Sequence, residues 1–175
     1  MKSIITKLTI IFALLVSVSI TNPNIAEAES ASRNSVGFVA GSTYGFGIGY
    51  KHQFYNSPLA LQVAGFPLVT EESALITGGA ALQLTLHRGD YGSTFASFGT
   101  SVVYESNRQV SYESNRQVSQ HNRTMVVTGP GIGIEWLVHK NFGFVLDIPA
   151  AALFDTREGF RSILPIPNLT MMYTW

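Results

Sequence analysis

Leu169-Thr170-Met171-Met172-Tyr173-Thr174-Trp175 ends the chain. Side chains alternate along an extended strand, so Leu169, Met171, Tyr173 and Trp175 share one face, while Asn168, Thr170, Met172 and Thr174 share the other. One face suits lipid and the other suits a polar interior.

The composition asks for more segments of this kind. Apolar residues make up 46% of the 175 and charged residues only 13%, about half the usual share of a soluble domain. Past the first 28 residues no apolar run reaches the roughly 20 residues of a spanning helix. The apolar surface is therefore spread over short alternating segments, as in a transmembrane barrel. Cysteine is absent, which excludes disulfides, thiolate metal sites, a cysteine nucleophile and a lipid-modified amino-terminal cysteine.

Residues 1–28 read as a cleaved secretory signal. Lys2 and Lys7 give a basic start, Leu8 to Ile20 an apolar run, and Ala26-Glu27-Ala28 a small-x-small cleavage site. Residues 29–175 are then the mature domain. Without Lys2, Lys7 and Glu27 it keeps 9 basic and 10 acidic residues, no footprint for nucleic acid.

Eight strands follow in order. Val36 to Ala40 is the first, with a turn at Gly41-Ser42. In the second, Tyr44, Phe46, Ile48 and Tyr50 face out against Gly45, Gly47, Gly49 and Lys51. Leu59, Leu61 and Val63 mark the third. In the fourth, Ile76, Ala80, Leu82, Leu84 and Leu86 oppose Gln83 and Thr85. Tyr91 to Tyr104 is the fifth, Thr124 to Val138 the sixth with Glu135 inward, and Phe142 to Ile148 the seventh with Asp147 inward. The eighth runs from about Ile163 to Trp175. Pro67, Pro130, Pro149, Pro165 and Pro167 lie in these segments, and four of them are expected at the rim away from the chain ends, where bulges are tolerated. Phe54, Tyr55, Tyr91, Trp136, Phe142, Tyr173 and Trp175 are expected to gather at the opposite interface as an aromatic girdle.

A strand that ends on an aromatic residue, with Tyr173 two positions earlier, resembles the terminal signal by which bacterial outer-membrane β-barrels are recognised for assembly. The chain as a whole resembles the small, eight-stranded OmpA/OmpX-like class. That resemblance implies an all-β antiparallel transmembrane barrel in the bacterial outer membrane, a non-enzymatic surface or structural protein and a monomer. Its implied partners are outer-membrane lipid and lipopolysaccharide, the barrel assembly machinery that reads Leu169, Met171, Tyr173 and Trp175, and a host or surface ligand. The alternatives are an outer-membrane lipid-modifying hydrolase and a soluble periplasmic lipocalin-like binding barrel.

Three groups of residues could carry chemistry. Lys51, Glu135 and Asp147 are inward charges on otherwise apolar or small-residue strands, expected to pair in the lumen. Ser119, His121 and Glu135 supply the residue types of the lipid A deacylases and phospholipases of this barrel class, but the His-x-Ser strand motif of the deacylases is absent. His52, His87, His121 and His139 show no metal-ligand spacing, and the glycine-rich stretches open no helix, so no metal or cofactor is expected.

The octapeptide Tyr-Glu-Ser-Asn-Arg-Gln-Val-Ser occurs twice in succession, at 104–111 and 112–119. An even insertion preserves strand parity, so the repeat lengthens a hairpin without inverting its faces. Extended, it lines Tyr104, Arg108, Tyr112 and Arg116 along one face, a composition suited to a partner contact. Arg123, Arg157 and Arg161 join them in the polar loops, where guanidinium groups suit lipopolysaccharide phosphates or an external ligand.

Overall fold

The computed structural model describes residues 33–70, 73–89, 91–110, 118–139 and 141–175, and for 107–110, 118–121 and 139 it describes the backbone alone. The leader at 1–28, Glu71-Glu72, Lys140, Tyr112 and Arg116 lie outside the described residues, as does the Arg108 side chain.

Nine strand segments follow the chain: β1 (Arg33–Gly41), β2 (Gly45–Gln53), β3 (Leu59–Val69), β4 (Ser73–Gly89), β5 (Gly92–Val110), β6 (Val118–His139), β7 (Phe142–Asp155), β8 (Gly159–Pro165) and β9 (Asn168–Thr174). Each strand from β1 to β7 pairs antiparallel with the next. Both β8 and β9 pair with β7, at Ala150–Asp155 and Phe142–Asp147 respectively. They are two halves of one strand, broken at Pro165-Ile166-Pro167, where two residues lack an N–H to donate. β9 then pairs with β1 and closes the ring. The expected eight-stranded antiparallel barrel is the observed fold.

The ladders also fix its stagger. Stepping across partners from Phe142 through Tyr173, Val36, Tyr50, Val63, Ala80, Thr100 and Thr128 returns to β7 at Ala152, ten residues from the start. Eight strands with such a stagger tilt strongly and enclose an interior only wide enough for side chains.

Alternation sorts the two faces. Phe38, Ile48, Tyr50, Leu61, Val63, Ile132, Ile148, Leu169 and Met171 are exposed on the outside. Lys51, Gln53, Gln62, Gln83, Ser97, Ser101, Asp147, Asn168 and Thr170 are buried inside. Two expected outward residues depart from this. Leu84 is only 2% exposed, buried between its ladder partners Leu59 and Ala96. Tyr44 is 1% exposed and belongs to the turn Ser42–Tyr44, not to β2.

The turn at 54–58 and the residues Tyr91 and Asn141 lie at the same end of the barrel as residues 33 and 175. This chain-end rim carries the expected aromatics: Phe54, Tyr55, Tyr91, Trp136, Tyr173 and Trp175 are exposed there, and Phe142 is half-buried. The other rim is reached by the facing ends of β3 and β4, of β5 and β6, and of β7 and β8, the last two joined by the turn at 156–158. Strands β5 and β6 reach furthest beyond it. Their ladder does not stop at Tyr104 and Thr124 but continues from Glu105↔Arg123 to Val110↔Val118. β4 follows β5 only to Asn107, and β7 follows β6 only to Met125. Residues 104–110 of the first octapeptide copy are thus strand, and the β5–β6 ladder projects as a two-stranded extension.

The prolines are not confined to that rim. Pro130 lies inside β6, where the ladder to β7 skips from Thr128↔Ala152 to Gly131↔Pro149. The missing N–H groups interrupt that ladder in mid-strand.

Candidate functional site

The polar lumen begins near the chain-end rim with one ion pair. Lys51 on β2 donates from Nζ to Glu135 Oε2 on β6 at 2.8 Å. β2 and β6 are four strands apart in a ring of eight, so the pair spans the interior. Ser93 donates to the same carboxylate oxygen at 3.4 Å, and the Lys51 ammonium lies 5.9 Å from the centre of the Phe95 ring. Lys51 is buried, and its cation has both an ionic and an aromatic partner.

Asp147 bonds neither of them. It is fully buried on β7, where Oδ1 accepts from Ser97 at 3.0 Å and Oδ2 from Asn168 Nδ2 at 2.9 Å. The three charges expected in one cluster therefore occupy two networks.

The second network holds the turn between β1 and β2. Ser42–Tyr44 folds into the lumen, not over the rim. Asn168 fastens it from β9: its Oδ1 accepts from the Ser42 N–H at 2.6 Å, and its Nδ2 donates to Thr43 Oγ1 at 3.0 Å. Ser42 Oγ donates to the Ile166 carbonyl at 3.2 Å, and Ser101 Oγ donates to the Ser42 carbonyl. On the far side Gln83 Nε2 donates to Tyr44 Oη at 3.4 Å and to Gln62 Oε1 at 3.0 Å.

The sequence permits this inward fold. Gly45 and Gly47 have φ of 84° and 130°, which side chains with a Cβ rarely adopt. The Tyr44 carbonyl packs directly on Gly79 of β4, where any side chain would collide with it. Sequence reasoning placed Gly41-Ser42 as an ordinary turn and missed this plug. The available signal was the pair of inward glycines at 79 and 99, diagonal neighbours across the β4–β5 ladder, both in contact with the turn.

At the other rim the arginines meet around Asp155. Arg123 Nε donates to Asp155 Oδ2 at 2.8 Å, and Arg161 Nη2 lies 3.3 Å from the same oxygen and 2.7 Å from Glu158 Oε2. The Arg157 N–H donates to Asp155 Oδ1 at 2.9 Å. These bonds, led by that backbone N–H and then the Arg123 side chain, hold the Asp155 carboxyl below its ordinary range. Tyr104 is half-buried on β5, paired with Ile76 and Thr124.

The hydrolase residues do not meet. Ser119 and His121 lie 16 and 14 residues before Glu135 on the same strand, β6. At about 3.3 Å per residue they stand roughly 45 Å or more from that carboxylate.

The terminal strand is placed as its alternation implies. Leu169, Met171, Tyr173 and Trp175 are exposed, and Asn168, Thr170 and Met172 are buried. Tyr173 and Trp175 stack with ring centres 6.5 Å apart. The Trp175 N–H donates to the Asn34 carbonyl at 2.9 Å, and the Asn34 N–H donates to the Trp175 carbonyl at 3.2 Å. The last residue thus pairs with the first strand.

No protein-family model matches the chain, and no curated protein is significantly similar to it. Among solved structures it is similar to the N-terminal β-barrel domain of Pseudomonas aeruginosa OprF, with a TM-score of 0.49 and 10% identity over 82% of this chain and 96% of that one. It is also similar to Ail, the attachment invasion locus protein of Yersinia pestis, with a TM-score of 0.44 and 16% identity over 85% and 100% of the two chains. Ail in complex with the heparin analogue sucrose octasulfate gives a TM-score of 0.37 at 16% identity, over 83% and 100%.

Proposed function

We propose that this chain is a non-enzymatic barrel of the bacterial outer membrane, seated with its chain-end rim toward the periplasm and its longer hairpins outside. One observation carries this reading: a ring of strands closed by β9 on β1, whose outer face is apolar, while the interior toward the chain-end rim encloses charged and polar groups such as Lys51, Glu135, Gln62, Gln83 and Asp147. A soluble barrel reverses that distribution, whereas hydrocarbon requires it and requires closure too. The aromatic rim fits the membrane–water interface. In this reading the lumen pair and the Asn168-bound turn are structural, and the side-chain plug leaves no open aqueous channel.

The projecting β5–β6 hairpin supports a second role, contact with a surface partner or with lipopolysaccharide. Tyr104, Arg108, Tyr112 and Arg116 would be its contact residues, and Arg123, Arg157 and Arg161 would meet anionic groups at the rim.

The test is fractionation with a heat-modifiability assay. The protein should partition with the outer membrane and migrate at two positions on gels, depending on boiling. Recovery from the periplasm without detergent would overturn the membrane reading.

A further inference from the structure

The inward turn leaves the barrel wall incomplete. On the β9 side, β1 is paired only as far as Ala40↔Leu169, and on the β3 side β2 is paired only as far as Ile48↔Gly65. Beyond those points the β1–β2 hairpin leaves the wall for the lumen. Among the described residues no strand then pairs with β3 over Phe66–Val69 on that side, nor with β8 on the edge away from β7. A gap two strands wide opens between β3 and β8.

Ladder parity shows what lines it. Phe66 pairs with the buried Thr77, Leu68 with Leu75, and Leu164 with the buried Ala151, so all three have inward parity. Yet they are 38%, 48% and 45% exposed. The inward positions behind them are apolar too: Leu75 on β4, Val103 and Met125 paired across β5 and β6, and Val127 paired with Leu153 across β6 and β7. Below the turn the same parity carries Gln62, Gln83, Ser97 and Asp147. The lumen thus mixes polar groups with apolar ones such as Val39, Phe95 and Val145 beneath Thr43 and Tyr44, and is mainly apolar between that turn and the charged rim. The apolar part opens sideways, where the outer belt of Val102, Ile76 and Ile163 is also exposed.

We propose that this side opening admits an acyl chain of an anionic membrane lipid from the outer leaflet, with its headgroup at the arginine rim. The inference rests on the membrane reading above. An acyl chain matches the lining, because a lumen meant for water would not place large aliphatic side chains at inward positions. The rim supplies donors for the headgroup: the Arg123, Arg157 and Arg161 guanidinium groups gather there among Asp155, Glu158 and Glu105, the ladder partner of Arg123, and a guanidinium can donate to a phosphate oxygen as well as to a carboxylate. The N–H groups on the edge of β8 away from β7, which no described strand pairs, lie beside Arg161, where phosphate and ester oxygens supply acceptors that hydrocarbon lacks.

Tryptophan quenching by lipids brominated on the acyl chain tests this. The protein is reconstituted in phosphatidylglycerol vesicles in a Trp136→Phe, Trp175→Phe background, with one tryptophan placed by Leu153→Trp in the upper lumen, Val102→Trp on the outer face or Phe95→Trp in the lower lumen. Quenching at 153 should lie within about twofold of that at 102, with 95 unquenched, and should fall in phosphatidylcholine. Leu68→Arg should lower it at 153 and leave 102 unchanged. Quenching at 102 but not at 153 overturns the proposal and leaves the membrane reading standing; no quenching at 102 overturns both. Equal quenching at 153 in the two lipids removes the headgroup assignment. A dimer cross-linked through β8, with 153 unquenched, would show that a second copy covers the gap.

Discussion

Lys51 and Glu135 form an ion pair across the width of the barrel, 2.8 Å from nitrogen to oxygen, from strands that share no ladder. The contact is a crossbeam. It ties opposite walls at the end where β1 begins and β9 finishes, and among the described residues it has no counterpart around Asp147. Removing one partner leaves the other charged in a confined interior, so Lys51→Ala should lower unfolding stability in detergent by about 3 kcal/mol, while Lys51→Met with Glu135→Leu should recover most of it. A single variant with an unchanged urea midpoint would show that the pair contributes nothing.

The inward turn depends on the bare surface of Gly79. Gly79→Val should push the Tyr44 backbone out of the lumen at a cost of about 1–3 kcal/mol. A cysteine introduced by Thr43→Cys would be shielded from maleimide in the parent and should react rapidly in the valine variant. Equal reactivity would mean the turn is not held there by the close approach at Gly79.

Around Asp155 the prediction concerns acid. Its carboxyl is held below the ordinary range, so its contribution is fully present above the unfolded value of about 4 and disappears as pH falls through the lower folded value. Protection of the 156–158 turn from added protease should therefore decline below pH 4 in the parent. In Asp155→Asn it should already be low at pH 7 and change little with pH.

Trp175 pairs with Asn34 through two backbone bonds, and its side chain belongs to the aromatic rim. Trp175→Ala keeps the backbone bonds and removes the ring. If the assembly machinery reads that ring, outer-membrane yield should fall severalfold while export and leader cleavage continue. An undiminished yield, with the purified variant refolding normally in detergent, would refute that role.

Deleting residues 112–119 removes an even number from the projecting hairpin and preserves the parity of β6. Insertion and heat-modifiability should be unchanged, and binding to an external surface should weaken. Failure to assemble would show that the extension supports the wall; undiminished binding would remove the contact role.

Much of the barrel was legible in the sequence because an apolar outer face against a polar lumen enforces alternation. Leu169, Met171, Tyr173 and Trp175 could not face a polar lumen, and the aromatics at 54, 91, 136 and 142 marked one rim by their spacing from the turns. Lys51 and Glu135 were legible as inward charges for the same reason. Asp147 was legible as inward but not as separate from them, because parity gives a face and not a neighbour on the far side of a ring. Tyr44 was misread because alternation assumes a continuous strand, and Gly45 breaks it with a φ of 84°. The extent of β5 and β6 was underestimated for another reason: above an apolar belt a ladder needs no hydrophobic contrast, so polar residues such as Glu105 and Arg123 continue it without a periodic signal.

The ring is closed by the two ends of the chain, with Ser35 bonded to Thr174 across a sequence separation of 139 residues. This sets a schedule. Strands β1 to β7 can pair only into an open ribbon while β9 is still unmade, and a ribbon keeps a free edge at β1 until β9 arrives. Closure must wait for the last residues to arrive, and then pays the entropy of the longest loop the molecule contains. The closed shape therefore does not exist until β9 is made, however much of the ladder has formed before it.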